Sequence, residues 1–271
     1  MPASIHPTAI VGSEVALADD VVVGPFCTLS GKVSLGQGVR LISHVAIEGP
    51  VDIGPRTTLY PGCAIGFPGQ DFKFKMGDPT AGVVVGADCI LREHVTIHAA
   101  TKTDKPTRVG DKVLMMVASH AGHDATIGNG CILANSAMLG GHSLLQDNVI
   151  LSGNAAVHQF VRVGRMAFIT GNVGVSMDVP PFCVVAERNC IATINLVGLR
   201  RSGVARDQIT LVRRAFWHVF RRSLTRPEML AELHARGKDC PLVLEQARFV
   251  ETATRPIAHG RVGASADEEM A

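Results

Sequence analysis

Eleven histidines occur in this 271-residue chain, and four of them, His120, His123, His142 and His158, fall close together. Imidazole changes charge near neutral pH, so a group of such rings suits proton transfer or metal ligation. One neutral ring could take the proton of a hydroxyl nucleophile as a general base. Several rings could instead hold zinc. No Cys or Glu joins the four to close a metal shell, which weighs against zinc; no metal ligand is assigned, and the zinc reading stays open. A row of polar side chains along a solvated edge is the alternative without chemistry.

A repeat determines where these histidines stand. Every sixth residue from Ile5 to Ile65 is aliphatic, through Val11, Leu17, Val23, Leu29, Leu35, Leu41, Ile47, Ile53 and Leu59. The register breaks after Phe67, returns at Val85, Leu91 and Ile97, and runs again from Val109 to Val175. The second place is often Gly (Gly12, Gly24, Gly36, Gly54, Gly110, Gly128, Gly164), as a tight corner needs. The fifth is small or β-branched, including Cys27, Cys63, Cys89 and Cys131, which read as core fillers. Two inward residues per hexad make one short strand and one turn. Three hexads close a triangular coil, and the coils stack as parallel strands about 4.8 Å apart. The chain therefore reads as a parallel β-helix. The hexads holding His123, His142 and His158 start at Ala121, Leu139 and Val157, one coil apart. Those three share an edge on consecutive rungs, spanning about 10 Å, and His120 lies one corner away.

The repeat predicts three regions. Residues 1–180 form the β-helix, with polar excursions at 67–84 and 99–108, where a solenoid commonly carries its binding face. Residues 181–260 form a helical domain, with helices expected at 205–222, at 229–236 behind Pro227, and from Pro241 to about 253. Residues 261–271 read as a disordered tail. Composition agrees with this division. With 46% hydrophobic residues and a mean hydropathy of +0.24, the chain is not disordered as a whole. Only 10 Phe, 1 Trp and 1 Tyr stand against 28 Gly, so the core must come from Val, Ile, Leu and Ala. A net charge of +2 carries no nucleic-acid signature. Yet residues 197–260 hold 12 Lys and Arg against 6 Asp and Glu, which favours an acidic partner for the helical domain. No membrane span or export signal is visible, so the cytoplasm is the expected location.

The segments VASHAGHDATIGNGCILAN, GGH, AAVHQF, DVPPF and NLVGLRR, in that order, resemble the acyl-[acyl-carrier-protein]–UDP-N-acetylglucosamine O-acyltransferases of lipid A synthesis over about residues 6–250. The resemblance implies a left-handed β-helix, a homotrimer with sites between subunits, and no cofactor beyond the phosphopantetheine of acyl carrier protein. It implies transfer of a 3-hydroxyacyl group to the 3-hydroxyl of UDP-N-acetylglucosamine, the first step of that pathway. His123 matches the general base, Gly141 the oxyanion-binding amide, and Asp124 a group that orients His123 if a corner separates the two. Gln70, Asp71 and Lys73 match sugar- and carrier-contacting loop residues. His98, His120, His142, His158 and Gln159 match the sugar and phosphate side. Asn195 and Arg201 match nucleotide contacts, with a capping role as the other reading of Asn195. Gly153 and Gly171 match the acyl-chain groove, and Gly171 implies longer donors. Val197 and Ser202 depart from the family pattern near the nucleotide, and Glu187-Arg188 replaces a small, polar stretch of the relatives. They keep open N-acylation of a 3-amino UDP-sugar. A zinc hydratase of the trimeric β-helix type and a non-catalytic carrier-binding scaffold are the further alternatives.

Overall fold

The structure is a computed structural model that describes residues 1–260. The tail expected to be disordered, 261–271, lies outside the described residues. Strands of two or three residues recur at the hexad spacing from Ser4–Ile5 to Gly174–Val175. Each pairs in parallel with its equivalent one coil away, as Ile132 does with Ile150 and Leu145 with Val163. They form three parallel faces of a left-handed β-helix of about 10 turns. The first face begins at Ser4–Ile5, the second at Ile10–Val11 and the third at Val15–Leu17.

From Val21 onward the first and fifth places of the hexads point inward and form the core: Leu41, Val45, Ile47, Leu59 and Cys63 are all at most 1% exposed. The four fifth-place cysteines are buried and free, and burial pushes the Cys63 and Cys131 thiols up to about 12. The largest fully buried side chains of the coil are Leu, Ile and Met, whereas Phe182, Phe216 and Phe220 lie at its C-terminal end and in the helices beyond. The corner glycines answer a demand for space rather than for an unusual backbone. A Cβ on Gly24 would lie 1.9 Å from the Ile42 carbonyl oxygen of the next coil. The left-handed backbone falls two places later, on residues with side chains such as Phe26, Asp124, His142 and Phe160 (φ 58, 60, 58 and 65°).

The excursions are shorter than expected. Val83–Val85 pairs with both Val51–Ile53 and Thr107–Val109. Val83 and Thr107 are buried, so the loops end at residues 82 and 106. The segment after the last coil is not helical, as the reading of 181–260 had it. Cys183–Glu187 and Cys190–Ile194 form an antiparallel hairpin that pairs with Phe168–Ile169 and extends the first face. Covering that edge satisfies backbone groups that would otherwise stay unpaired. Four helices follow: α1 (Leu196–Arg201), α2 (Arg206–Val219), α3 (Arg226–Gly237) and α4 (Pro241–Glu251). A capping box between Thr225 and Glu228 starts α3. The bundle is clamped to the coil by Arg162, which bridges buried Asp178 (2.8 Å) and the Phe249 carbonyl (3.0 Å), and by Arg165 on Glu245 (2.8 Å). Among the described residues, no helix is long and apolar enough to cross a membrane.

Candidate active site

His123 and Asp124 hold the third and fourth places of the corner between the second and third faces. The left-handed backbone at Asp124 brings its carboxylate beside the preceding ring: His123 Nδ1 lies 2.8 Å from Asp124 Oδ2. An ionised carboxylate can only accept, so Nδ1 carries the hydrogen, and in the neutral ring Nε2 then holds the lone pair. His142 occupies the place of Asp124 one coil on, with its Nε2 3.5 Å from the same oxygen. The His142 ring meets His123 edge-on (5.1 Å, 87°) and stacks on Phe160 (4.6 Å, 4°), which holds that place on the following coil. Burial lowers the pKa of His142, against the pull of Asp124 in the other direction. His123, His142 and His158 do share one corner on consecutive coils, but in the third, fourth and second places. Of the three, His158 is turned aside, its Nδ1 3.2 Å from the Gln159 carbonyl.

On the second face, His98 and His120 meet edge-on (4.9 Å, 80°), and Thr96 Oγ1 lies 2.7 Å from His120 Nδ1. Loss of water lowers both rings, His98 to about 4, so this pair is neutral at pH 7.

Both excursions close on the histidine corner. From the second, the Thr101 N–H donates to Asp124 Oδ1 (3.0 Å) and its hydroxyl to Oδ2 (2.7 Å), while Thr107 Oγ1 accepts the Asp124 N–H (2.8 Å). Burial alone would raise the Asp124 carboxyl, but hydrogen bonds from His123 and Thr101 hold it below its usual range. From the first, Gly69 lies so close that a Cβ there would be 2.9 Å from His123 Cδ2, and the Phe74 ring packs on His123 at 5.7 Å. Asp71 and Lys73 form an exposed ion pair (3.1 Å), and Gln70 is exposed beside them. Lys73 and Phe74 also line a cleft of about 690 Å³ between the two excursions.

Gly141 stands in the third place one coil on from His123. A Cβ there would lie 2.7 Å from His123 Cε1 and 2.8 Å from Nε2, so only glycine fits beside that edge of the ring. Its amide differs from its counterparts at the neighbouring corner. There, third-place side chains form a ladder: Ala87 N–H donates to Asp111 Oδ1 (2.8 Å), Asp111 to Asn129 (2.9 Å) and Asn129 to Asp147 (2.7 Å). At the histidine corner the third places are His123, Gly141 and Gln159, and among the described residues no acceptor takes the Gly141 N–H.

The remaining expected residues lie farther along the coil. A Cβ on Gly171 would approach the Gly153 oxygen to 3.3 Å, and Gly171 lines a second cleft of about 690 Å³ with His158, Gly174, Glu187 and Arg188. Asn195 caps α1, accepting from Gly198 N–H (2.8 Å) and donating to the Met166 carbonyl (2.9 Å). Arg201 is exposed on the last turn of α1. Within the described residues neither one contacts the histidine corner. Thr101, Thr107, Phe74 and Phe160 were missed by the sequence reading. The interrupted repeat marked the loops, but no local pattern says where a loop folds back. His123, Asp124 and His142 also offer three ligand atoms within 4.8 Å of one another, a set that could hold a metal ion.

The profile of the family described as Udp N-acetylglucosamine O-acyltransferase, domain 2, matches residues 178–258. The chain is 39% identical over 255 residues to the acyl-[acyl-carrier-protein]–UDP-N-acetylglucosamine O-acyltransferase of Thermodesulfovibrio yellowstonii, covering 93% of this chain and 98% of the relative. It is 40% identical over 231 residues to the enzyme of the same name from Anaeromyxobacter sp., covering 84% and 82%. Among solved structures, the Francisella novicida UDP-N-acetylglucosamine acyltransferase superimposes with a TM-score of 0.89 at 33% identity, covering 93% of each chain.

Proposed function

This chain belongs to the acyl-[acyl-carrier-protein]–UDP-N-acetylglucosamine O-acyltransferase family, and on that premise we propose that His123 is the general base of the transfer. The protein is an acyl carrier protein-dependent O-acyltransferase that acylates UDP-N-acetylglucosamine. O-transfer is the reaction in the relatives' names, and N-transfer to a 3-amino sugar is not favoured. Asp124 fixes the ring so that Nε2 faces the substrate. Nε2 takes the proton of the sugar 3-hydroxyl, and the oxygen attacks the thioester carbonyl of a 3-hydroxyacyl donor. The negative charge on that carbonyl oxygen meets the Gly141 N–H. Collapse breaks the C–S bond, and the departing phosphopantetheine sulfur takes the proton from Nε2. The observation that carries this reading is the 2.8 Å His123–Asp124 contact beside an uncommitted Gly141 amide.

The reaction needs no metal in this scheme, because Asp124 meets His123 at hydrogen-bond distance. The assembly is a homotrimer with sites shared between protomers. Exposed Ile90, Val117, Met138 and Phe160 support a further copy packing on the coil, and Arg201 would then meet the nucleotide in a shared site. Acyl carrier protein docks on the basic helical domain, and the cytoplasm is the compartment. A mass-spectrometric assay of 3-hydroxyacyl carrier protein with UDP-N-acetylglucosamine and with its 3-amino analogue tests the reaction. Transfer to the hydroxyl acceptor is expected, and transfer to neither overturns it. Elemental analysis of the active enzyme should find no stoichiometric zinc.

A further inference from the structure

Two imidazoles compete for one carboxylate. Asp124 Oδ2 lies 2.8 Å from His123 Nδ1 and 3.5 Å from His142 Nε2, so a modest rotation of the carboxylate would exchange one partner for the other. Both histidines face that acid from adjacent coils, and the side-chain group that holds the carboxylate between them comes from the second excursion. Thr101 grips both carboxylate oxygens, with its amide on Oδ1 (3.0 Å) and its hydroxyl on Oδ2 (2.7 Å), while Thr107 holds the Asp124 amide (2.8 Å). With Thr101 and His123 both donating to Oδ2, that oxygen's lone pairs are taken. His142 is left beyond good hydrogen-bond distance.

We propose that Thr101 is a positioning residue that selects which imidazole becomes the base, by locking the Asp124 carboxylate toward His123 and away from His142. The inference rests on the reading of His123 as the base. It gives the second excursion a role in the reaction: the chain leaves the coil at residue 98 and returns at Thr107, and in that span it places one donor pair on a carboxylate that the coil alone would leave free to turn. The charged and titratable groups facing Asp124 are His123 on its own corner and His142 on the next coil, with Lys73 and Lys102 of the two excursions acting on His142 at longer range.

The test is a double-mutant cycle on the full-length enzyme. Thr101→Val keeps the shape and the backbone donor but removes the hydroxyl. We expect kcat to fall on the order of tenfold, the worth of one hydrogen bond to a charged group, with KM for the UDP-sugar little changed. Thr101→Ser should restore kcat. His142→Phe removes the competing donor and keeps a ring to stack on Phe160, so in that background Thr101→Val should cost much less. The downfield Nδ1–H proton resonance of His123 should weaken in Thr101→Val and recover in Thr101→Ser. An equal loss from Thr101→Val in both backgrounds, or an unchanged His123 resonance, overturns the selection. The two readings fail separately. If His123→Ala keeps its turnover, the base assignment falls, whereas an inactive His123→Ala with an additive cycle removes only the role of Thr101.

Discussion

Two corners of the same coil run the same backbone through the same hexad and do opposite things with it. The corner carrying Asp111, Asn129 and Asp147 uses its third-place side chains to occupy the amides of the preceding coils. The corner carrying His123, Gly141 and Gln159 leaves the Gly141 amide without an acceptor among the described residues. One corner occupies its amides with its own side chains; the other leaves an amide open, and in the proposed mechanism that donor meets charge that appears only during reaction. On that reading a solenoid builds an active site by omitting a stabilising pattern at one edge while keeping it at another.

The largest expected effect is at the proposed base. His123→Ala should lower kcat by about 10²–10⁴-fold while leaving the oligomer intact by sedimentation, as loss of a general base does. Retained turnover would remove the distinction between the corners. Next comes a transplant of the ladder: Gln159→Asn should let a side-chain oxygen take the Gly141 N–H. If that amide serves the oxyanion, kcat should fall by about 10²-fold, and an unchanged kcat would show that it does not.

The histidine side also makes the fold sensitive to acid. His98 is buried, and its pKa is depressed from 6.5 to about 4. The unfolded chain thus binds a proton more readily. The stability associated with neutral His98 is complete above pH 6.5 and is lost as pH falls toward 4, by about 3 kcal/mol at most. Urea midpoints measured across that range should flatten in His98→Gln, and the same slope in the variant would mean another group titrates.

Acyl length should respond more gently. Gly171→Met should shift preference toward shorter 3-hydroxyacyl donors by up to about fourfold per carbon, from about 0.8 kcal/mol per buried methylene. Unchanged selectivity would move the end of the groove to Glu187 and Arg188, which line the same cleft. The smallest effect belongs to the ladder itself. Asn129→Ala should cost about 1 kcal/mol of stability, the net worth of a hydrogen bond, with kcat unchanged. A change in kcat would show that the two corners are coupled.

Much of this was legible along the chain. The aliphatic sixth residues marked the coil, and the one-coil spacing of Ala121, Leu139 and Val157 brought His123, His142 and His158 to one edge. The hairpin at 183–194 was not legible, because its residues are called into strand by the open edge of Phe168–Ile169 rather than by a periodicity of their own. Asn195 carries the family match to the nucleotide, yet its side chain is engaged at both ends, its oxygen capping α1 and its amide group donating to the Met166 carbonyl of the coil.

A hexad is a local rule: inward apolar places, a glycine where coils press together and a short strand between corners recur within six residues. The chain therefore announces the β-helix and the shared edge of its histidines without reference to anything distant. Which imidazole the Asp124 carboxylate faces is a different kind of fact. It depends on a left-handed corner residue and on Thr101 reaching back from an excursion 23 residues earlier. Hydrogen-bond partners are chosen by differences of a few tenths of an ångström between groups remote in the chain, and only the folded coil sets those distances.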